Sequence, residues 1–125
     1  MVVTMKRQLP LTLFVCAILI AICVPASAQD ALAANPSTIR LKLENEKVRV
    51  LEATLPPGHK EQIHSHPASI IYVISGGKFR SHSADGKVSE SVLKDGDVIY
   101  RDPLTHWAEN IGTTTIHLIL VELKK

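Results

Sequence analysis

HSHPASIIYVISGG, residues 64–77, holds the two signals on which the fold turns. Two histidines stand one residue apart, and a β-branched and aromatic run, SIIYVIS (69–75), follows and ends at Gly76-Gly77. On a strand, residues i and i+2 leave the same face about 6.5–7 Å apart at Cα. Imidazoles on His64 and His66 at that spacing can converge on one ion, roughly 2.0–2.1 Å from each nitrogen. The plain alternative is a pair of half-exposed polar side chains. With the alternation carried onward, Ile70, Tyr72 and Ile74 have the parity of an interior face, and Gln62 shares the histidines' parity if the strand extends back that far.

The neighbouring segments have the same texture. IRLKLE (39–44) and KVRVLEATL (47–55) alternate with period two, and PPG (56–58) is a turn. KFRSHS and VSESVL flank Asp85-Gly86 as a hairpin. KDGD (94–97) is a second turn, and TTTIHLILVEL (113–123) closes the chain. No segment shows a capped 3.6-residue apolar period. About eight or nine short strands at close spacing predict an all-β sandwich or small barrel over residues 39–125. Residues 29–38, QDALAANPST, read as a flexible N-terminal arm.

The first 28 residues differ in kind. Lys6 and Arg7 precede an almost wholly apolar run, Leu11 to Val24, and Ala26-Ser27-Ala28 is a small-residue cleavage pattern. That order predicts a signal peptide cleaved after Ala28 and a periplasmic or secreted protein. The run is shorter than the roughly 20 residues of a spanning helix, so no stable membrane insertion is expected after cleavage. Lipid attachment at Cys23 is disfavoured by bulky Ile22 before it. Both cysteines, Cys16 and Cys23, leave with this segment, and the remaining chain has 12 basic and 12 acidic residues. Thiol chemistry is thereby excluded, and nothing points to nucleic acid.

A third metal ligand must come from another strand, and His106 is the best placed. If residues 104–110 are extended, His106, Ala108 and Asn110 share one face, while Trp107 and Glu109 face away. His59 and His82 read as loop or surface histidines, His117 as packed or hydrogen-bonded, and Arg101 near the mouth as a surface charge, with a carboxylate clamp as the alternative.

At these residues the chain resembles the cupin superfamily. The first cupin motif, G-x5-H-x-H-x3/4-E-x6-G, is matched by Gly58, His64, His66 and Gly77, with Ile70 where the glutamate belongs. The second motif is matched in its H-x3-N part by His106 and Asn110; its proline, Pro103, is shifted by one and its inner glycine is absent. The resemblance covers roughly residues 47–122. It implies a cupin-like β-barrel of the jelly-roll, double-stranded β-helix type, with His64, His66 and His106 holding one divalent ion: Fe, Mn, Zn, Ni or Cu. It also implies a homodimer, since such barrels often pair through strands.

Ile70 cannot coordinate, so the site offers three neutral donors. Glu61 and Glu109 have the wrong strand parity to step in, Asp102 lies beside a proline bend, and Gln62 can at most coordinate weakly or hold a water. A three-histidine site leaves positions for water, dioxygen or a chelating small molecule and suits a dioxygenase-type enzyme. The alternative is a non-catalytic periplasmic module that binds a small molecule or metal. No general base is assigned, and no catalytic residue is named.

Overall fold

The computed structural model describes Val2 and residues 29–125, so the expected signal segment lies, Val2 apart, outside the described residues. A short helix, α1 (Ala31–Ala34), precedes nine strands: β1 (Ile39–Glu44), β2 (Val48–Leu55), β3 (His64–His66), β4 (Ser69–Ser75), β5 (Gly77–Ser83), β6 (Val88–Leu93), β7 (Val98–Arg101), β8 (Leu104–Asn110) and β9 (Ile116–Leu123). They form two antiparallel sheets, ordered β1-β2-β9-β4-β7 and β3-β8-β5-β6. This is the all-β architecture that the strand spacing predicts, and of the jelly-roll type that the resemblance implies. Among the described residues no helix is long and apolar enough to cross a membrane.

The two sheets contribute unequal faces. The five-stranded sheet turns Leu51, Ala53, Leu55, Ile71, Val73, Ile116, Leu118 and Leu120 inward, all buried. The four-stranded sheet answers with His64, His66, His106, Ala108 and Asn110, also buried. One wall is therefore an apolar core and the other a polar lining. Buried polar groups persist only where they are hydrogen-bonded or bound to an ion.

Turn chemistry follows the sequence. Gly58, Gly86 and Gly96 take positive φ in the three turns, where glycine alone avoids a Cβ penalty. The Asp85-Gly86 turn joins β5 and β6 in register, His82 opposite Val88. Gly76 serves a different need: a Cβ there would lie 1.9 Å from the Leu93 carbonyl oxygen, so two backbones pass where only glycine fits.

Strand parity is corrected at one corner. His66 ends β3 in the four-stranded sheet, and Ser69 begins β4 in the five-stranded sheet. Pro67-Ala68 carries the chain between sheets, so alternation cannot be counted across it. Ser69, Ile71 and Val73 face inward, while Ile70, Tyr72 and Ile74 are exposed. Ile70 is thus on the outer surface, and the motif's acidic position, counted with its longer spacing, falls on Ile71.

The arm at 29–38 is docked, not loose. Ala31 is fully buried, and Asp30 caps α1 by accepting from the Ala33 N–H at 3.3 Å. Ser65 donates its backbone N–H to the Gln29 carbonyl at 2.9 Å, laying the arm along β3.

Candidate metal centre

His64 and His106 are register partners across the β3–β8 ladder, with His66 two residues along β3. Alternation on β8 turns His106, Ala108 and Asn110 inward and leaves Trp107 and Glu109 on the other face, as the sequence predicts. The three imidazoles are buried, and their ligand nitrogens all lie within 4.8 Å of one another.

Hydrogen bonds fix how the rings present themselves. His64 Nδ1 lies 2.7 Å from the Gln62 carbonyl oxygen, and His66 Nδ1 lies 2.6 Å from Glu122 Oε1. Both oxygens only accept, and the Gln62 carbonyl is nearer to His64 Nδ1 than the Asn35 amide nitrogen, which lies at 3.1 Å, so both Nδ1 atoms are assigned the hydrogen. Each neutral ring then has a bare lone pair at Nε2. Those two Nε2 atoms stand 2.9 Å apart. Two lone pairs at that distance repel unless a cation lies between them. Two nitrogens bound to one metal at right to tetrahedral angles are separated by roughly 2.9–3.4 Å, so the pair fits a shared divalent ion. His106 completes the set: Ser81 Oγ is 2.8 Å from its Nδ1, and its buried Nε2 has no partner among the described residues. A backbone carbonyl, a carboxylate and a hydroxyl thus hold the far nitrogens, the outer arrangement that orients metal-binding histidines.

A proton is a poor substitute for a metal here. Burial pushes His64 down to about 4, with His66 and Arg101 adding to the effect. Burial also lowers His66, even against its bond to Glu122. His106 falls to about 2, through burial first and then Arg101. Near neutral pH all three rings are unprotonated and could each offer a lone pair to a metal.

Residues outside the strand pattern complete the surroundings. Glu122 on β9 bridges His66 and Arg49, whose Nε donates to Glu122 Oε2 at 2.7 Å; Arg49 also pairs with Asp30 of the arm. Burial opposes the charge of Glu122, but the bonds from His66 and Arg49 outweigh it and hold its carboxyl below the ordinary value. Asn35, buried, accepts from the Gln62 N–H at 2.8 Å and donates to the Gln62 carbonyl at 3.3 Å, steadying the peptide that holds His64.

Glu61 corrects the parity argument. Residues 61–63 are not strand, and the backbone there turns the Glu61 carboxyl inward, 3.8 Å from His64 Nε2. Burial raises it to about 7, partly offset by Arg101. Gln62 and Asp102 are exposed and take no part as side chains. Arg101, expected at the surface, is largely withdrawn from it; burial lowers it to about 10 against the pull of Glu61 and Glu122. The other histidines stand apart from the cluster. His82 stacks on Trp107 with centroids 3.6 Å apart, and His117 bonds Glu52 at 2.8 Å on the outer face. Asn110 is structural, donating to the Leu55 and Thr114 carbonyls, each at 2.8 Å.

Known proteins share the fold that carries this site. A cupin-domain protein of Bordetella pertussis Tohama I has a similar crystal structure, with TM-score 0.64 and 24% identity over 70% of this chain and 92% of that one. A conserved protein with a double-stranded β-helix domain, from Klebsiella pneumoniae, gives TM-score 0.55 and 29% identity over 66% and 72%. No curated protein matches the chain. The cupin-domain family model matches residues 51–122, more than half of the sequence and all but the first of its strands in whole or part: the chain belongs to the cupin domain family.

Proposed function

We propose that the protein holds one divalent metal ion through His64, His66 and His106 and acts as a metal-dependent enzyme of the dioxygenase type on a small chelating molecule. The observation that carries the metal reading is the pair of bare Nε2 atoms 2.9 Å apart, each fixed from behind by an acceptor. An ion with three imidazole donors keeps positions open and supplies Lewis acidity to a bound oxygen ligand. All-imidazole donation suits Zn, Cu, Ni or Fe.

The chain's own residues supply the rest. Glu61 is a buried carboxyl with a pKa of about 7, so it exchanges a proton near neutrality at the edge of the cluster. It fills the role of general base that strand parity leaves open. Glu122 holds His66 in one tautomer, and the Gln62 carbonyl does the same for His64.

The non-catalytic reading is favoured by one observation. The cavity bordered by Glu61, His66, Arg101 and His106 measures about 20 Å³, room for a water-sized ligand. Metal-dependent dioxygen uptake with chelating substrates separates the two: uptake that ends on metal removal supports the enzyme, and stable binding without turnover supports the module.

Elemental analysis of untagged protein should find about one ion per chain. His64→Ala, His66→Ala and His106→Ala should each lose most of it, while His82→Ala keeps it. Equal metal in wild type and His106→Ala would remove the third ligand.

Two further expectations belong to this reading. The order of parts in residues 1–28 supports export, and mass spectrometry of the exported form should begin at Gln29. On the outer face of β4 and β7, Ile70, Tyr72, Ile74, Val98 and Tyr100 are exposed. That apolar stripe supports a homodimer, which sedimentation of wild type against Tyr100→Glu would test.

A further inference from the structure

The arm at 29–38 covers the open side of β3, the end strand of its sheet. Asp30 bridges to Ser65 in the parallel sense, and the Ser65 N–H donates to the Gln29 carbonyl at 2.9 Å. Ser65 lies between the two histidines of β3. The polar side chains of the arm land behind those same two histidines. Asn35 accepts from the Gln62 N–H at 2.8 Å and donates to the Gln62 carbonyl at 3.3 Å, and that carbonyl accepts from His64 Nδ1 at 2.7 Å. Asp30 pairs with Arg49, Arg49 donates to Glu122 at 2.7 Å, and Glu122 accepts from His66 Nδ1 at 2.6 Å. Two chains of hydrogen bonds thus run from the arm to the far nitrogens of His64 and His66.

Such chains act in both directions. A cation on Nε2 draws electron density from the ring, so its Nδ1–H becomes a stronger donor, and linked hydrogen bonds polarise one another. Without a cation, the bare Nε2 atoms of His64 and His66 face each other at 2.9 Å. The rings relieve that repulsion by turning, and a turned ring draws its Nδ1 away from the acceptor that the arm steadies. Whatever factor the ion adds to docking of the arm, the docked arm must add to affinity for the ion.

We propose that the arm is a latch coupled to the metal: it lies on β3 when the three histidines hold an ion, and lifts more often when they do not, uncovering the edge of β3. The coupling rests on the metal reading above. An uncovered edge presents unpaired N–H and C=O groups to other strands, so the metal-free protein differs from the loaded one at its surface and not only at the buried centre.

Hydrogen exchange followed by NMR tests this in the untagged protein, metal-free and zinc-loaded. The amides of Ala34 and Asn35 bond to the Asp30 and Ala31 carbonyls within the arm, and that of Ser65 bonds to Gln29, so all three open when the arm lifts. Zinc should slow their exchange about tenfold or more, the low end of what outer partners contribute to metal affinity. The amides of Gly96 and Asp97 bond to Val73 and Lys94 in the turn before β7. They open without the arm and should exchange alike in both forms. Deleting residues 29–35 should lower zinc affinity, read by competition with a chelator, by the factor by which zinc slows the arm amides. If that variant does not fold, Asp30→Ala, at a half-exposed position, cuts one chain alone and should show part of the same loss. Wild type that takes up no zinc overturns the metal reading and the coupling with it. Zinc uptake with equal exchange of the arm amides in both forms overturns the coupling alone, as does unchanged zinc affinity in the folded variants.

Discussion

Glu122 shows how far the centre depends on side chains that touch no ion. It accepts from His66 and Arg49 at once. Replacing such an outer partner commonly lowers metal affinity 10–100-fold, so Glu122→Gln should do so, read as a shift in competition with a calibrated chelator. Glu61 gives a prediction in pH. Its folded pKa, about 7, lies above the ordinary 4.5, so between those values this carboxyl is protonated more in the folded state than in the unfolded one. Taken alone, Glu61 should lower the stability of the metal-free protein as pH rises from about 4.5 to about 7, by on the order of 3 kcal/mol if the whole shift is expressed. The three histidines, held neutral by burial, act in the opposite sense and outnumber it, so net stability should rise over this window and Glu61→Gln should steepen that rise in urea melts. The histidines were legible because their chemistry and i, i+2 spacing are local. Glu61 and Glu122 were not: Glu61 lies on irregular backbone where parity has no meaning, and Glu122 is 56 residues from its partner His66.

At the scale of elements, the arm is the least expected part. Asn35 holds the Gln62 peptide and Asp30 holds Arg49, so α1 and its flanks brace both histidines of β3. Asn35→Ala leaves the Gln62 N–H without its acceptor and should destabilise the fold by about 1–3 kcal/mol, with weaker metal retention. Asp30→Ala removes a half-exposed partner and should change stability by less than about 1 kcal/mol. Denaturant melts of the two variants check the contrast. Residues 29–38 looked loose because small side chains give no periodic signal; Ala31 is buried because it is small. Elsewhere the elements were readable, since three of the turns are marked by glycines that take positive φ. What misled was the corner at Pro67-Ala68. A continuous apolar run spans the passage near it, and nothing local says that the chain changes sheets there. Gly76→Ala should be among the costlier substitutions, about 3 kcal/mol or more in the same melts, because its Cβ meets backbone that cannot rotate away.

For the molecule as a whole, one apolar sheet faces a polar one, and stability becomes linked to what the polar wall binds. An ion that binds only the folded state, at a free concentration a thousandfold above its Kd, adds about 4 kcal/mol. For a domain of this size that corresponds to a Tm lower by roughly 15 °C or more after removal of the metal, a drop that calorimetry should show in wild type and not in His106→Ala. The same enclosure governs time as well as affinity. His64, His66 and His106 are 0%, 5% and 2% exposed, so a bulky polydentate chelator should not reach an ion among them while the barrel is shut. Release must wait for a local opening, and the arm over β3 is the element most easily lifted. The exchange rate should then saturate with chelator concentration, at the opening rate of the protein itself. Deleting residues 29–35 should raise that ceiling. An ion bound at this centre should therefore exchange slowly, and its identity should be set by the metal present at folding.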